Sequence, residues 1–184
     1  RIKARARRDL GLPAWDWEAG SVVVALSGMG AAAARRAGET LVGRCRPELL
    51  VSVGFGGALT PGVAPGDLVL GETFWHYSPD TRELKAGPQP AAPRPLSLLC
   101  GALQQAGFTA VTGSLITTSR LIHKGRQGKP LAGLPRPVLD LETGALAEMA
   151  AAQGLAFLSL RAITDAAAEE IPEFLHTAGE PGAS

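Results

Sequence analysis

Acidic side chains at the ends of two apolar segments are the first candidates for chemistry in this chain. The segment V-L-D-L-E at 138–142 supplies Asp140 and Glu142, and the apolar run 156–163 is followed closely by Asp165. Side chains two apart on a strand share a face, so Asp140 and Glu142 can point the same way. Ligands of open α/β sheets bind outside the carboxyl ends of the strands. The sequence therefore predicts a site built on Glu142 and Asp165.

The position of Asp165 supports two interpretations. A carboxyl group in a cleft can act as a general acid, which commonly contributes about 10²–10⁴ in rate. Asp is also a preferred helix N-cap, so the residue alone favours neither interpretation. Arg161 on the same run is a candidate charge partner for Asp165, and such a pair would weaken the general-acid interpretation.

Two glycine-rich stretches, S-G-M-G at 27–30 and G-F-G-G at 54–57, each follow an apolar run. Glycines let a ligand approach the backbone, and amides near a helix start favour an anion or a polarised oxygen. The first stretch also fits the G-x-G-x-x-A dinucleotide fingerprint, but the acid expected at the end of the next strand is missing. A nicotinamide or flavin enzyme is therefore disfavoured. For 54–57, a structural turn and a ligand loop remain equally open.

Composition excludes several classes of protein. The 184 residues are typical of one domain, and the net charge of +1 lacks the strong basic bias that is usual for binding nucleic acid. Cys45 and Cys100 lack metal or disulfide spacing, and the histidines are scattered, so we expect no metal. There is no apolar run of about 20 residues and no signal peptide. We expect a cytoplasmic protein without a nucleic-acid partner or stable membrane insertion.

Apolar runs alternate with helical patterns along the chain. The first ten residues fit an exposed helical face with Ile2, Ala6 and Leu10 inside, and helical turns are expected through His176. The alternation predicts an α/β fold of three layers, α/β/α, with a mostly parallel central mixed sheet. The expected strands are 21–26 (covered on both faces), 49–53, 67–74, 108–118, a short strand from 138 that delivers Asp140 and Glu142, and 156–163. The expected helices are 31–45, 95–106 and an Ala-rich helix that follows Glu142, with a loop at 78–95 and a candidate lid at 123–137.

Three groups of motifs carry a family resemblance. They are S-G-M-G at 27–30, V-G-F-G-G-A-L at 53–59 with P-G-D at 65–67, and D-L-E-T-G-A-L-A with R-A-I-T-D. Over about residues 20–170 the chain resembles the superfamily of nucleoside phosphorylases and 5′-methylthioadenosine/S-adenosylhomocysteine nucleosidases. The resemblance implies a nucleoside phosphorylase-like fold, a homodimer and no cofactor. We expect residues 1–184 to form a single domain. Whether the family's domain extends beyond either end of these residues is left open.

The resemblance also implies a reaction, cleavage of the N-glycosidic bond of a purine nucleoside or 5′-substituted adenosine. Asp165 would protonate or hydrogen-bond the base nitrogen, and Glu142 would bind the ribose hydroxyls. The other residues that the resemblance places in the site are Leu141 in the sugar pocket, Leu121 where an aromatic often stacks on the purine, and Ser27, Gly28, Phe55 and Gly56 on the side of the nucleophile.

The nucleophile is the least defined part of the expected site. Phe55 stands where many members have a Ser or Thr that contacts phosphate or water, so water is favoured over phosphate. A phosphate-dependent phosphorylase and a non-catalytic nucleoside-binding protein of the same fold remain alternatives. The stretch 161–175 resembles the hopanoid-associated phosphorylase branch, and futalosine hydrolase is another branch with an apolar residue near Phe55.

Overall fold

The computed structural model describes residues 4–17, 21–89 and 93–170. The helices in these ranges are α1 (Ala31–Cys45), α2 (Pro93–Gln105), α3 (Lys124–Gln127) and α4 (Thr143–Ala152), with 3-10 turns at Arg8–Leu10 and Lys129–Leu131. The strands are β1 (Arg5–Ala6), β2 (Ala14–Trp17), β3 (Val22–Ala25), β4 (Leu49–Ala58), β5 (Leu68–Ser78), β6 (Glu83–Ala86), β7 (Ala110–Thr118), β8 (Val138–Asp140) and β9 (Ala156–Asp165).

The central sheet is mixed, and it closes on itself. Its strand order is β6-β5-β7-β8-β4-β9, and β9 also pairs with β5. The β5–β7, β7–β8 and β4–β9 pairs are parallel, whereas β4–β8, β5–β6 and β5–β9 are antiparallel. Because β4 and β9 are parallel, their carboxyl ends lie at the same edge of the sheet, where ligands of α/β sheets bind.

Helices cover the two faces of this sheet. Phe157 packs into a cluster with α1 and α4, including an edge-to-face contact with Phe74 at 5.4 Å between ring centroids. The next residue, Leu158, points to the opposite face and packs with Leu70 and with Leu96 of α2. Successive strand residues thus bury themselves under different helices, as strand alternation requires. The predicted three-layer α/β/α architecture is confirmed.

The amino-terminal prediction of a helix is wrong in the residues described. Arg5 and Ala6 form β1, which pairs antiparallel with β2, and β2 pairs with β3. Arg7 holds this arrangement by donating to Asp9 and Asp16 at 2.8–2.9 Å, and its guanidinium lowers the pKa of Asp9 to about 2. The sequence has apolar residues at helical spacing, but antiparallel pairing of Arg5 and Ala6 with β2 determines the conformation instead. Position 2 lies outside the described residues.

Four other expectations need correction. β3 is not covered on both faces, since Val22 and Val24 are 46% and 44% exposed in a small antiparallel sheet. The glycine-rich stretch 54–57 is not a strand exit, because β4 continues through it to Ala58. The loop expected at 78–95 contains β6, which pairs with β5. The helical turns expected after Asp165 are not present at 166–170, and the rest of that stretch, through His176, lies outside the described residues.

The remaining expected elements are present, with ends that differ by a few residues. Within the described ranges, no helix is long and apolar enough to cross a membrane.

Helices α1 and α4 pack closely at a glycine. A β-carbon at Gly38 would stand 2.6 Å from Met149 Cε and 2.7 Å from Leu146 Cδ2, both on α4. Gly43 lies five residues closer to the end of α1, and a β-carbon there would have no described neighbour within 4 Å apart from the adjoining residues and the helix's own backbone. The helix therefore contains one glycine in close contact with α4 and one with open space beside it.

We expect Gly43→Ala to raise the free energy of unfolding by about 0.5–1 kcal/mol, because alanine is the better helix former. Gly38→Ala gains the same propensity but must displace Met149 and Leu146, and forced insertions of this kind cost about 1–3 kcal/mol. Urea unfolding of the two variants should therefore rank Gly38→Ala clearly below Gly43→Ala. Equal stability of the two would show that α1 does not pack on α4 through Gly38.

Candidate functional site

A cavity of about 430 Å³ opens where β4, β8 and β9 end. The structure brings all the sequence-predicted site residues to its wall: Ser27, Gly28, Phe55, Gly56, Leu121, Leu141, Glu142 and Asp165. They come from five separate stretches of the chain. Their shared position is a structural finding, and their individual roles remain predictions.

Glycines in β4 allow the other strands to approach the cavity closely. A β-carbon at Gly57 would collide with the carboxyl group of Asp165. One at Gly56 would stand 2.5 Å from Val138 Cγ1 and 3.0 Å from the carbonyl oxygen of Leu139. The repeated glycines are thus required by close approach within a strand, rather than by a turn.

Asp165 is the last residue of β9, and its side chain is 20% exposed. Thr164 Oγ1 donates a hydrogen bond of 2.7 Å to Asp165 Oδ1, and the ammonium group of Lys124 forms an ion pair with Oδ2. Residues 166–170 form no helix, so within the described chain Asp165 caps none. The helix-cap interpretation therefore does not explain this carboxylate.

Arg161 pairs with Asp140 rather than with Asp165, contrary to the sequence expectation. Its Nε and Nη2 both lie 2.8 Å from Asp140 Oδ2, and both side chains are at most 1% exposed. The physical reason is distance, since four residues along a strand span about 13 Å. The neighbouring strands bring Asp140 within reach of the guanidinium, whereas Asp165 stays at the far end of β9.

Hydroxyl groups complete the surroundings of this ion pair. Thr117 Oγ1 donates to Asp140 Oδ1 at 2.7 Å, and the hydroxyl and amide of Thr143 donate to the same carboxylate. Ser52 Oγ accepts from both terminal nitrogens of Arg161 at 3.1 Å. A buried ion pair is tolerated only when its remaining donors and acceptors are satisfied, and this one is. Asp140 therefore serves to hold the neighbouring strands together.

Glu142 connects α4 to α1. It precedes the first residue of α4, and its Oε1 accepts a 2.7 Å hydrogen bond from the amide of Gly30, which precedes α1. Gly30 has φ of 89°, a left-handed conformation that favours glycine. A carboxylate at the amino end of a helix is also stabilised by the helix dipole. The anion expected at the S-G-M-G stretch is therefore supplied by the protein itself.

The segment 123–137, expected as a candidate lid, is anchored in this structure. Leu131 is fully buried, and Lys124 is 4% exposed. Glu170 accepts hydrogen bonds from the amides of Gly125 and Lys124 at 2.6 and 3.0 Å. The amide of Gly125 is the main reason that the pKa of Glu170 lies below its ordinary value, with burial acting in the opposite direction.

Sequence reasoning missed Lys124 as a site residue and gave Arg161 the wrong partner. Lys124 was visible only as one of several basic residues in an irregular loop. No local pattern links it to Asp165, which lies 41 positions later. The sequence shows a lysine next to a glycine in a loop and an acid at the end of a strand. This combination does not predict that the two side chains touch.

Comparisons with known proteins agree with this architecture. The phosphorylase superfamily model matches residues 15–182. A 5′-methylthioadenosine/S-adenosylhomocysteine nucleosidase from Geobacillus kaustophilus is 28% identical over 177 residues, which is 88% of this chain and 75% of the relative.

Solved structures of the same fold include a nucleosidase of that name from Neisseria meningitidis in complex with methylthio-immucillin-A. It has a TM-score of 0.72 and 21% identity, and the match covers 91% of this chain and 78% of that one. A futalosine hydrolase mutant of Helicobacter pylori has a TM-score of 0.71 and 14% identity, covering 97% and 83%.

The closed mixed sheet, the two helical layers and the cavity at the strand ends define an α/β protein with a small-molecule site. The chain belongs to the phosphorylase superfamily. The family prediction made from the three groups of motifs is thereby confirmed.

We expect Arg161→Met to lower the free energy of unfolding by about 3–5 kcal/mol, because it leaves the Asp140 carboxylate buried without its cation. Arg35→Met is the matched control. It removes the 2.7 Å pair between Arg35 and Glu148, whose side chains are 41% and 47% exposed, and should cost at most about 1 kcal/mol. Chemical denaturation at neutral pH measures both. Similar losses of unfolding free energy in the two variants would show that the buried Asp140–Arg161 pair matters no more for stability than an exposed pair.

Proposed function

We propose that this protein is an N-ribosyl hydrolase that releases the base from a purine nucleoside or 5′-substituted adenosine. The observation that carries the proposal is that Glu142 and Asp165 line one cavity at the ends of two strands. Its volume of about 430 Å³ falls in the range of small-molecule sites. The related proteins carry the names of enzymes in the predicted class, nucleosidases that hydrolyse N-ribosyl bonds.

Glu142 is the proposed sugar-binding group. Its Oε1 is held by the amide of Gly30, so the carboxylate is fixed in orientation and Oε2 is the oxygen offered to the ribose hydroxyls. Cleavage leaves a sugar with oxocarbenium character. A fixed carboxylate that binds this charged sugar more strongly than the neutral one lowers the barrier.

Asp165 is the proposed leaving-group residue. A departing purine gains a proton on a ring nitrogen, and Asp165 at this nitrogen accepts its hydrogen bond or donates that proton. The ion pair with Lys124 favours the accepting role, because a cationic partner weakens a general acid. The surrounding wall is apolar on the side of Leu121, Leu141 and Phe55, which suits the base and sugar faces. Leu121 and Phe55 contribute contact area there and no hydrogen bonds.

Charge in the cavity favours water over phosphate as the nucleophile. Among the described lining residues, the cationic side chains are Lys124 and Arg161, and each is paired with a carboxylate of the protein. With Glu142 the formal balance is three carboxylates against two cations. The amide of Gly30 is also occupied. A phosphate ion would need free cations or amides, whereas water needs neither.

We expect Asp165→Asn to lower kcat for base release by about 10²–10⁴, because the amide cannot exchange the proton that the base requires. Binding of a non-hydrolysable nucleoside analogue, measured by calorimetry, should change little. Asp80→Asn, at an exposed acid that pairs with Arg120 outside the cavity, is the control and should leave kcat unchanged.

Release of free base from adenosine analogues, measured with and without added phosphate, separates the alternatives. Base without phosphate supports a nucleosidase, and base only with phosphate supports a phosphorylase. Absence of base under both conditions would support a nucleoside-binding protein of the same fold. Near-normal turnover by the Asp165→Asn variant would contradict the assigned role.

The substituent on the sugar is a finer proposal. We include an adenosyl-hopane among the candidate substrates, because the stretch 161–175 resembles the hopanoid-associated branch. The apolar lining at Leu121, Leu141 and Phe55 is compatible with a large apolar 5′ group. Methylthioadenosine and an adenosine with a long alkyl group at the 5′ position, compared as substrates, distinguish a narrow from a broad pocket.

We also propose a cytoplasmic homodimer. An apolar row on β4 supports the dimer, with Val51, Val53 and Phe55 at 42%, 72% and 73% exposure where α2 does not reach. Exposed apolar patches of this kind often mark interaction surfaces.

We expect light scattering to give twice the chain mass for the wild type and the single mass for Val51→Asp, because a charge in an apolar interface is costly. Leu98→Asp, at a 65% exposed leucine of α2, is the control and should stay dimeric. A monomeric wild type would contradict the proposal.

A further inference from the structure

Lys124 is a buried cation that no step of the proposed reaction uses. It is the first residue of α3, and its side chain is 2% exposed. Its ammonium group lies between the Asp165 carboxylate and two carbonyl groups, donating to the oxygen of Ala166 at 2.7 Å and more weakly to that of Asp165 at 3.4 Å. A lysine in this setting needs a physical explanation, because burying a charge is costly unless it is paired.

Protein groups enclose the ammonium group of Lys124. It donates to the carbonyl groups of Ala166 and Asp165 and forms an ion pair with Asp165 Oδ2. Its side chain is 2% exposed, so it is shielded from a phosphate or a substrate. Lys124 therefore acts on Asp165 and not directly on a ligand.

The two oxygens of Asp165 have different surroundings. Oδ2 is buried and faces the ammonium group, in an ion pair rather than a well-directed hydrogen bond. Oδ1 accepts from the hydroxyl of Thr164 at 2.7 Å. Since the side chain as a whole is 20% exposed, its exposed part lies on the Oδ1 side. Gly57 leaves the space in which this carboxylate sits.

The backbone of Lys124 is fixed as firmly as its side chain. Its amide donates to Glu170 at 3.0 Å, and its carbonyl accepts from the amide of Gly128 at 2.8 Å. The backbone amide, through Glu170, and the side chain, through Ala166, are thus both bonded to the segment that follows β9. The ammonium group is held at a defined place relative to the end of that strand.

We propose that Lys124 is a positioning residue for Asp165: it anchors Oδ2 and so presents Oδ1 to the leaving base. The inference rests on the proposed function, since it assigns Lys124 a part in the same reaction. Reacting groups must be held within a fraction of an ångström of the productive geometry, and a misplacement of about 1 Å can cost on the order of 10²-fold in rate. Without the cation, the hydrogen bond from Thr164 to Oδ1 remains, but Oδ2 loses its ion-pair partner and the carboxylate is held less firmly.

The test compares Lys124→Met with Lys124→Arg and with the surface control Lys85→Met, whose lysine is 67% exposed. For Lys124→Met we expect kcat to fall by about 10- to 100-fold while KM stays within about threefold, because the anchor matters when the base departs and not when it binds. Lys124→Arg keeps the charge and should recover part of kcat. Lys85→Met should match the wild type.

The double variant Asp165→Asn/Lys124→Met separates positioning from a general structural effect. If Lys124 acts through Asp165, removing it after Asp165 is already replaced should change the residual rate by less than about twofold. Equal proportional losses in both backgrounds would overturn the proposal, as would a Lys124→Met variant with wild-type kcat.

Folding is checked by thermal unfolding of every variant. Where Lys124→Met does not fold, Lys124→Gln replaces it, since the amide can still donate to the carbonyls of Asp165 and Ala166. A wild-type kcat in that variant overturns the proposal.

Failure of the proposed function has a different signature. It shows as no base release by the wild type, or as full activity of Asp165→Asn. An active wild type and an inactive Asp165→Asn, combined with a fully active Lys124→Met, refute the role of Lys124 alone.

Discussion

The buried ion pair between Asp140 and Arg161 is the interaction on which the site depends. It joins β8 to β9, and through Ser52, Thr117 and Thr143 it reaches β4, β7 and α4. A charge pair in this position requires its full set of partners, because any missing one leaves a polar group unsatisfied in the interior. The strands are consequently held in one relative placement. Since Glu142 lies two residues after one member of the pair, its placement follows from the same constraint.

Charges at the cavity are matched within the protein before any ligand enters. Lys124 faces Asp165, Arg161 faces Asp140, and Glu142 faces the start of α1. Such a wall has fixed dipoles and little free charge, so it can stabilise a transient cationic sugar without attracting small anions strongly. Under the proposed function, this arrangement favours a neutral nucleoside over phosphate. Asp140, Arg161 and Asp165 lie on strands, whereas Glu142 and Lys124 lie at the starts of α4 and α3.

Much of the architecture was predictable from local patterns, and contacts between distant residues were not. The runs that became β5, β7 and β9 are apolar and bounded by turn residues, and α1 was predicted with its observed ends. The glycines at 54–57 suggested the end of a strand. The close contact that explains Gly57 is with the carboxyl group of Asp165, which lies 108 positions later and leaves no local signal. Sequence spacing could bring Asp165 and Glu142 to one edge of a sheet, but it could not choose between Arg161 and Lys124 as the neighbour of Asp165.

The hydrogen bond between Gly30 and Glu142 joins the starting points of two helices that pack against each other at Gly38. The volume of the residues at that crossing sets the spacing of α1 and α4, and this spacing in turn sets how far the Glu142 carboxylate projects into the cavity. Pocket width is therefore adjustable from the helical layer. Leu146 lines the cavity itself, whereas Met149 is not among its described lining residues, so a change at Met149 could alter the pocket while those lining residues stay the same.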